Sequence, residues 1–134
     1  MHCAGSVLVA MYGQGLTRGK AAILGINATT NQAVCALKPL ELLMSEFLFY
    51  YFMKNYWQFR EEAVGGNQPN YSAKMISSWS ISLPTLPEQH EIVRLIDDLL
   101  ARERSAQQAT EQALASIDLM KKSILARAFR GELG

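Results

Sequence analysis

Residues 85–130 decide the fold of this chain, and they read TLPEQHEIVRLIDDLLARERSAQQATEQALASIDLMKKSILARAFR. From Glu88 to Arg130 neither glycine nor proline occurs. Thr85 and Glu88 have the Thr-x-x-Glu spacing of a capping box, and Pro87 stands in the first turn, where its missing N–H group is tolerated. At ~1.5 Å per residue the predicted helix would reach roughly 65 Å, which is more than a body of this size can cover.

The apolar residues of this predicted helix recur at heptad spacing. A seam starting at Ile96 is apolar at seven of nine positions, and Glu103 and Thr110 are the exceptions. We therefore expect the helix to pack lengthwise against another helix. The alternative is a single solvent-exposed helix stabilised by i,i+4 pairs. The apolar seam positions are Ile96, Leu99, Ala106, Ala113, Ile117, Met120 and Ile124.

Residues 1–85 change from strand-like to helix-like patterns. From Leu40 the apolar residues have helical spacing, and Ser45 is a candidate cap for an internal start. Two glycines and a proline predict a loop at residues 65–70. The predicted strands are Ser6–Met11, Ala21–Leu24, Gln32–Leu37 and Ile81–Leu83, the last closed by Pro84. The predicted fold class is α+β: a small β-sheet and a core helix in residues 1–85, then one long coiled-coil-forming α-helix in residues 86–134.

Length and composition exclude several classes of protein. The chain has 134 residues, which fits one domain with an extended appendage and not a multidomain enzyme. The longest uncharged apolar run, Phe47–Met53, is far shorter than the ~20 residues of a membrane span. Cys3 and Cys35 form no CxxC pair, and the N-terminus has no basic region ahead of an apolar one. We expect a soluble protein of the reducing cytoplasm.

No catalytic or metal-binding pattern emerges from the sequence. Residues 13–20 resemble a phosphate loop, but glutamine at 14 and alanine at 21 break the Walker spacing. The dinucleotide pattern would need glycine at 18, where arginine stands. His2 and His90 lack companion residues at the spacing of a metal site or a catalytic triad. We expect no catalytic residue, no metal and no cofactor.

The charges are distributed unevenly along the chain. Residues 1–85 carry a net charge of +2 and residues 86–134 a net charge of −1. Segments 1–40 and 63–85 contain four basic side chains and no carboxylate side chain. This asymmetry favours a polyanionic partner for those two segments. The alternative is chance in a chain with few acidic residues.

The two ends of the long helix carry a family resemblance. Residues 81–93, ISLPTLPEQHEIV, and residues 124–133, ILARAFRGEL, resemble the ends of the distal spacer helix in the DNA-specificity subunit of type I restriction-modification enzymes. Three earlier segments resemble the second half of that family's target recognition domain. They are Met11-Tyr12-Gly13 with Thr17-Arg18-Gly19-Lys20, Thr29-Thr30-Asn31-Gln32-Ala33, and Gly66-Asn67-Gln68-Pro69-Asn70-Tyr71-Ser72.

The resemblance implies a non-catalytic reader of double-stranded DNA. Residues 1–85 would be part of one target recognition domain, and residues 86–134 a spacer and dimerisation helix. Members of the family hold two such domains apart with antiparallel helices and so position methyltransferase and restriction subunits on a bipartite site. Because only one partial domain is present here, we expect a homodimer, or pairing with another specificity half, through the long helix, unless the sequence is a truncated form.

The acid-free segments supply residues suited to DNA contact. We expect Arg18 to face solvent or DNA, because it lies in a glycine-flanked loop without an acidic neighbour. The alternative for these residues is a role in turns, since several stand beside glycine or proline. Trp57 and Trp79 are interpreted as core or interface anchors. The predicted phosphate-binding residues are Arg18, Lys20 and Lys74, and the predicted hydrogen-bonding or stacking residues are Gln14, Thr17, Gln68, Asn70 and Tyr71.

A second function class stays open. The chain could be a coiled-coil interaction module, or a truncated decoy that occupies methyltransferase subunits without binding DNA by itself. DNA binding distinguishes the two hypotheses. An enzyme is the weakest hypothesis, because the Asn/Asp-Pro-Pro-aromatic tetrapeptide of amino-methyltransferases is absent from the sequence.

Overall fold

The computed structural model describes residues 1–13, 16–62 and 71–132. Its first part is a three-stranded antiparallel sheet. The strands are β1 (Val7–Ala10), β2 (Ala21–Ile23) and β3 (Val34–Leu37), in the order β2-β1-β3. Val9 of the central strand lies opposite Ala21 on one side and Cys35 on the other. Val7 and Val9 are both buried, as the period-two alternation of a strand requires. These three predicted strands are confirmed, each one or two residues shorter than predicted.

The chain divides into two compact units, Met1–Arg94 and Leu95–Gly134. The first unit contains the sheet and the start of the long helix α4, and the second contains the rest of α4. No helix among the described residues is long and apolar enough to cross a membrane. The described residues form the helices α1 (Ser45–Lys54), α2 (Tyr56–Glu62), α3 (Ala73–Ser78) and α4 (Leu86–Phe129).

An aromatic core joins the sheet to the short helices. Helix α1 packs on β1 and β2, and Phe52 of α1 and Phe59 of α2 are buried with the two valines of β1. The ring of Trp79 stacks on Phe59, with 3.6 Å between centroids and 5° between planes. Each such aromatic pair stabilises the fold by about 0.5–1.5 kcal/mol in addition to the stabilisation that comes from burying the rings. This core fixes α1 and α2 against β2 and the loop before it.

The predicted core helix is two helices. Helix α1 begins at Ser45, whose hydroxyl donates to the carbonyl of Gly5 at 2.6 Å and therefore does not cap the helix. The helix ends at Lys54, and the side-chain amide of the C-cap residue Asn55 donates to the carbonyl of Tyr51 at 2.8 Å. An asparagine side chain that competes for backbone groups in this way favours a break. Helix α2 starts at the next residue, Tyr56.

The predicted strand Ile81–Leu83 is wrong. Residues 81–83 pair with no strand in the described part of the chain. Side chains satisfy the neighbouring backbone groups instead: the hydroxyl of Tyr51 donates to the carbonyl of Ser80 at 2.8 Å, and Gln89 donates to the carbonyl of Pro84. Pro84 itself has no N–H group to offer to a sheet.

The side-chain amide of Gln89 joins the first turn of α4 to the segment before α1. Its Oε1 accepts from the backbone N–H of Met44, and its Nε2 donates to the carbonyls of Leu42 and Pro84, each at 2.9 Å. Gln89 is fully buried. A buried amide without partners would be costly, and here the oxygen and both N–H groups are used. The first unit therefore extends into α4.

The long helix is confirmed, and local residues define both of its ends. The carboxylate of Glu88 accepts from the backbone N–H and from the hydroxyl of Thr85, each at 2.8 Å, so the Thr85 hydroxyl donates to the acid instead of capping the backbone. At the other end Gly131 has a φ of +74°, and Glu132 N–H bonds to the carbonyl of Arg127. This is the pattern of a Schellman motif.

The second unit, taken by itself, is an exposed helix. Every described residue from 101 to 132 is exposed to solvent. The apolar seam is part of that surface, and Leu99, Ile117, Met120 and Ile124 are each more than half exposed. An uncovered apolar stripe of this kind is typical of a surface that binds a partner.

Candidate nucleic-acid interface

The loop between β1 and β2, residues 11–20, carries all four predicted contacts of the first acid-free segment. Its base is closed by backbone hydrogen bonds from Gly19 N–H to the carbonyl of Ala10 at 2.8 Å and from Ala10 N–H to the carbonyl of Lys20 at 2.9 Å. Gly19 has a φ of +86°, which favours glycine. Predicted contact Gln14 lies outside the described residues. We call residues 11–20 the β1–β2 loop.

Arg18 faces inward, so the prediction that it faces solvent is wrong. The residue is 8% exposed, and its guanidinium lies 5.8 Å from the centroid of the Tyr71 ring. Nη1 of Arg60 donates to the backbone carbonyl of Arg18 at 2.7 Å. The absence of a nearby acid in sequence suggested a free guanidinium, but an aromatic ring from a distant segment covers it.

Tyr71 lies in the core behind the same loop. It is 1% exposed, and its ring meets that of Trp79 edge to face at 5.4 Å. Its backbone N–H donates to the carbonyl of Met11 at 3.0 Å. Burial raises the pKa of the Tyr71 phenol, and the positive charges of Arg18 and Arg60 oppose this shift. The phenol is therefore neutral at physiological pH and supports the loop from inside.

Three predicted contact residues are on the surface. Thr17 and Lys20 are exposed on the β1–β2 loop, and Lys74 is exposed on α3. In the part of the chain that the structure describes, no ion pair holds either lysine. Helix α3 follows Tyr71, whose backbone is bonded to the loop, and Ser72 caps it by accepting from Met75 N–H. Predicted contacts Gln68 and Asn70, like the predicted loop at 65–70, lie outside the described residues.

Helix α2 supplies supporting residues that the sequence prediction missed. The hydroxyl of Tyr56 donates to the carbonyl of Leu16 at 2.6 Å, and Arg60 holds the carbonyl of Arg18. The guanidinium of Arg60 lies 5.3 Å from the Tyr56 ring, as their i,i+4 spacing permits. That spacing within an aromatic run was the available signal. Two side chains of one helix thus anchor the backbone of the β1–β2 loop.

The two tryptophans have different environments. Trp79 packs into the core, as predicted, whereas Trp57 is 63% exposed and is not a core residue. Trp57 lies beside Tyr56 at the edge of a cavity next to Lys20. Both cysteines are free thiols. Within residues 1–13, 16–62 and 71–132 no three His, Cys, Asp or Glu side chains are grouped so that they could hold a metal ion.

Comparison with known proteins gives consistent matches. The family described as type I restriction modification DNA specificity domain matches residues 2–114. The EcoDI specificity subunit of Escherichia coli is 43% identical over 65 residues, which are 48% of this chain and 15% of that protein. The StySPI specificity subunit of Salmonella potsdam is 34% identical over 94 residues, which are 68% of this chain and 20% of that protein.

Solved structures share the fold. The HsdS subunit from Thermoanaerobacter tengcongensis superposes with a TM-score of 0.73 at 23% identity, over 98% of this chain and 31% of that one. A chain from a study of assembly and conformational transition in the type I R-M system gives a TM-score of 0.80 at 24% identity, over 98% and 32%. This chain therefore spans about a fifth or less of these curated relatives and about a third of the solved chains.

Proposed function

Because this chain belongs to the family of the type I restriction modification DNA specificity domain, we propose that it is a non-catalytic module that recognises double-stranded DNA. The resemblance found in the sequence is confirmed, since residues 2–114 take in the recognition-domain motifs and the start of the long helix. In this proposal the module helps to position methyltransferase and restriction subunits on a bipartite site. The supporting observation is the β1–β2 loop, which is anchored from inside and exposes Thr17 and Lys20.

The proposal divides the work between buried and exposed residues. Arg18 and Tyr71 lie under the loop and hold its backbone in place, so their contribution to DNA binding is indirect. Lys20 and Lys74 are exposed. Their ammonium groups suit phosphates, because an ammonium group acts as a point charge and needs no fixed geometry to bind one. The Thr17 hydroxyl suits a base edge or a phosphate. A preorganised loop loses less conformational entropy on binding than a free one.

A salt titration tests this assignment. Lys20→Ala and Lys74→Ala are each assembled into the completed subunit with its methyltransferase, and affinity is measured for cognate and scrambled duplexes. Removing one phosphate contact should weaken the binding of both duplexes to the same extent and lower the slope of log K against log salt by about one unit. Lys121→Ala, an exposed lysine of α4, is the control. Unchanged affinity of both variants at every salt concentration would remove these lysines from the interface.

We also propose that the seam of α4 is the surface through which the chain pairs with a second copy or with another specificity half. The seam residues from Leu99 to Ile124 are exposed in the second unit, and covering them would remove apolar surface from water. Ile117→Asp should abolish self-association, because an unpaired carboxylate against an apolar partner is costly. Ala115→Asp, two residues away and off the seam, should leave it intact.

Light scattering of both variants at micromolar concentration decides between pairing and a solvated single helix. A wild-type monomer with an intact helix would contradict pairing. The proposed methyltransferase partner is tested separately by coexpression, in which the completed subunit should co-purify with it. Retained methyltransferase binding with no DNA affinity in the completed subunit would favour the decoy or coiled-coil module instead.

A further inference from the structure

A cavity of about 360 Å³ opens beside the β1–β2 loop, and of its lining residues only Lys20 has a part in the function proposed above. Phe49 and Met53 of α1 and Tyr56 and Trp57 of α2 form most of its wall, and Lys20, the last residue of the β1–β2 loop, is also part of the lining. The volume is at the lower end of the range of about 300–1,000 Å³ for small-molecule sites. It suits a single planar group and is too small for a peptide helix.

The wall combines aromatic rings with positive charge. Tyr56 and Trp57 meet at 5.0 Å with 77° between their planes, so the two rings form a corner of the wall. The Arg60 guanidinium lies 5.3 Å from the first ring and 5.9 Å from the second. Arg60 does not line the cavity itself, but it adds a second positive charge next to the two rings, beside the lining residue Lys20. None of the described residues that line the cavity carries a carboxylate.

We propose that this cavity binds an unpaired nucleotide, with the base stacked on the exposed Trp57 ring and the phosphate at Lys20. Aromatic platforms beside cationic groups are the usual means of holding unpaired bases, because every base has a stacking face while only the backbone carries charge. A hydrophobic side chain from a partner protein would use the rings but leave Lys20 without a role. Bases of an intact duplex are stacked on one another and cannot enter.

This inference goes beyond duplex recognition and shares only Lys20 with it. The nucleotide could be free in solution, part of a single strand, or displaced from a duplex. Their shared chemistry is a base with an attached phosphate, and the probes must separate the three sources. Trp57 has no part in the proposed duplex contacts, so it is the residue that distinguishes this site from the DNA interface.

The experiment uses the 134-residue chain and a fluorescein-labelled single-stranded oligonucleotide of ~4 nucleotides, with anisotropy as the readout. Unlabelled nucleoside monophosphates, the same single strand, and a duplex with one bulged base compete for the site. Each competitor that displaces the probe identifies a source that the cavity accepts. A fully paired duplex serves as the comparison and should displace the probe less well than the bulged one.

Variants locate the binding. Trp57→Ala should lower the affinity for the oligonucleotide roughly five- to 150-fold, and Trp57→Phe, which keeps a ring, should lower it less. Lys20→Ala should reduce the salt dependence of binding. Leu119→Ala, at an exposed apolar position of α4, is the control and should change nothing. Circular dichroism verifies folding, and if Trp57→Ala is misfolded, the Phe and Lys20 variants decide.

Two results would overturn the proposal. One is equal oligonucleotide affinity of folded Trp57→Ala and wild type. The other is binding of an apolar pentapeptide, but of none of the nucleotide probes, since the cavity would then take a protein side chain. In the completed methyltransferase complex, folded Trp57→Ala should retain salt-dependent binding of a paired duplex, and so its effect is distinct from failure of the DNA interface.

Discussion

Replacing Gly19 by alanine should destabilise the first unit through two separate effects. The backbone φ of +86° is a left-handed conformation, which costs an L-residue with a Cβ roughly 1–2 kcal/mol. The new Cβ would also stand 2.8 Å from the Tyr71 hydroxyl oxygen and 3.2 Å from its Cε2. Because that ring is buried and rigid, relieving the contact should cost a further ~1–3 kcal/mol.

The net effect follows from subtracting the gain in the unfolded state. Alanine restricts the unfolded chain and returns about 0.4–1 kcal/mol, so we expect a net loss of about 1–5 kcal/mol. For a unit of this size the corresponding fall in melting temperature is roughly 4–40 °C. Urea denaturation measures the free energy, and a thermal melt provides a second value.

Two further variants separate the causes. Gly25→Ala is the matched control, because nothing lies within 4 Å of its added Cβ and its φ is not positive; its stability should stay near or slightly above that of wild type. Adding Tyr71→Phe to Gly19→Ala removes the closest contact atom and should recover part of the steric loss but none of the backbone cost. If the free energy of unfolding of Gly19→Ala lies within about 0.5 kcal/mol of the wild-type value, the proposed support of the loop by Tyr71 is refuted.

Three other changes test the remaining contacts. Gln89→Ala should lower the free energy of unfolding by about 2–5 kcal/mol in urea titrations, because three backbone groups lose a buried partner, whereas Gln108→Ala on the exposed helix should change it little. Hydrogen bonds from Thr85 hold the pKa of Glu88 below its usual 4.5. These bonds to the ionised carboxylate therefore stabilise the fold above pH 4.5, and their contribution is lost as the pH falls through the lower pKa of the folded state. Glu88→Gln should accordingly flatten the dependence of stability on pH below about pH 5. Arg18→Ala should cost about 1–3 kcal/mol of stability, and its DNA affinity should fall without a change in the slope of log K against log salt. If that slope instead falls by about one unit, Arg18 is a phosphate contact after all.

The long helix was predictable because its determinants are local. An absence of glycine and proline from Glu88 to Arg130, with Thr85 at one end and Gly131 at the other, specifies a helix without reference to the rest of the chain. The three short strands were readable for the same reason, as short apolar runs, of which β1 and β2 each lie between two glycines. The break at Asn55 was missed because the apolar pattern continues across it, while the side chain that ends α1 is polar and competes for the backbone.

The candidate site was only partly predictable because its support comes from distant residues. Arg60 bonds to Arg18 across 42 positions, and Tyr56 bonds to Leu16 across 40. Sequence composition identified the acid-free loop, but it could not distinguish a buried arginine from an exposed lysine two residues away. Nor could it distinguish the two tryptophans, since only packing against Phe59 makes Trp79 part of the core.

The bond between Gln89 and Met44 also links the local openings of two helices. Met44 is the N-cap residue of α1, and its amide proton is bonded to a side chain 45 residues later, in the first turn of α4. Fraying of α4 at that turn must therefore release the Met44 amide, and opening at the start of α1 must leave Oε1 of Gln89 without its donor. In hydrogen exchange the Met44 amide should consequently be protected to the same degree as the first turn of α4, as a member of one cooperative opening unit.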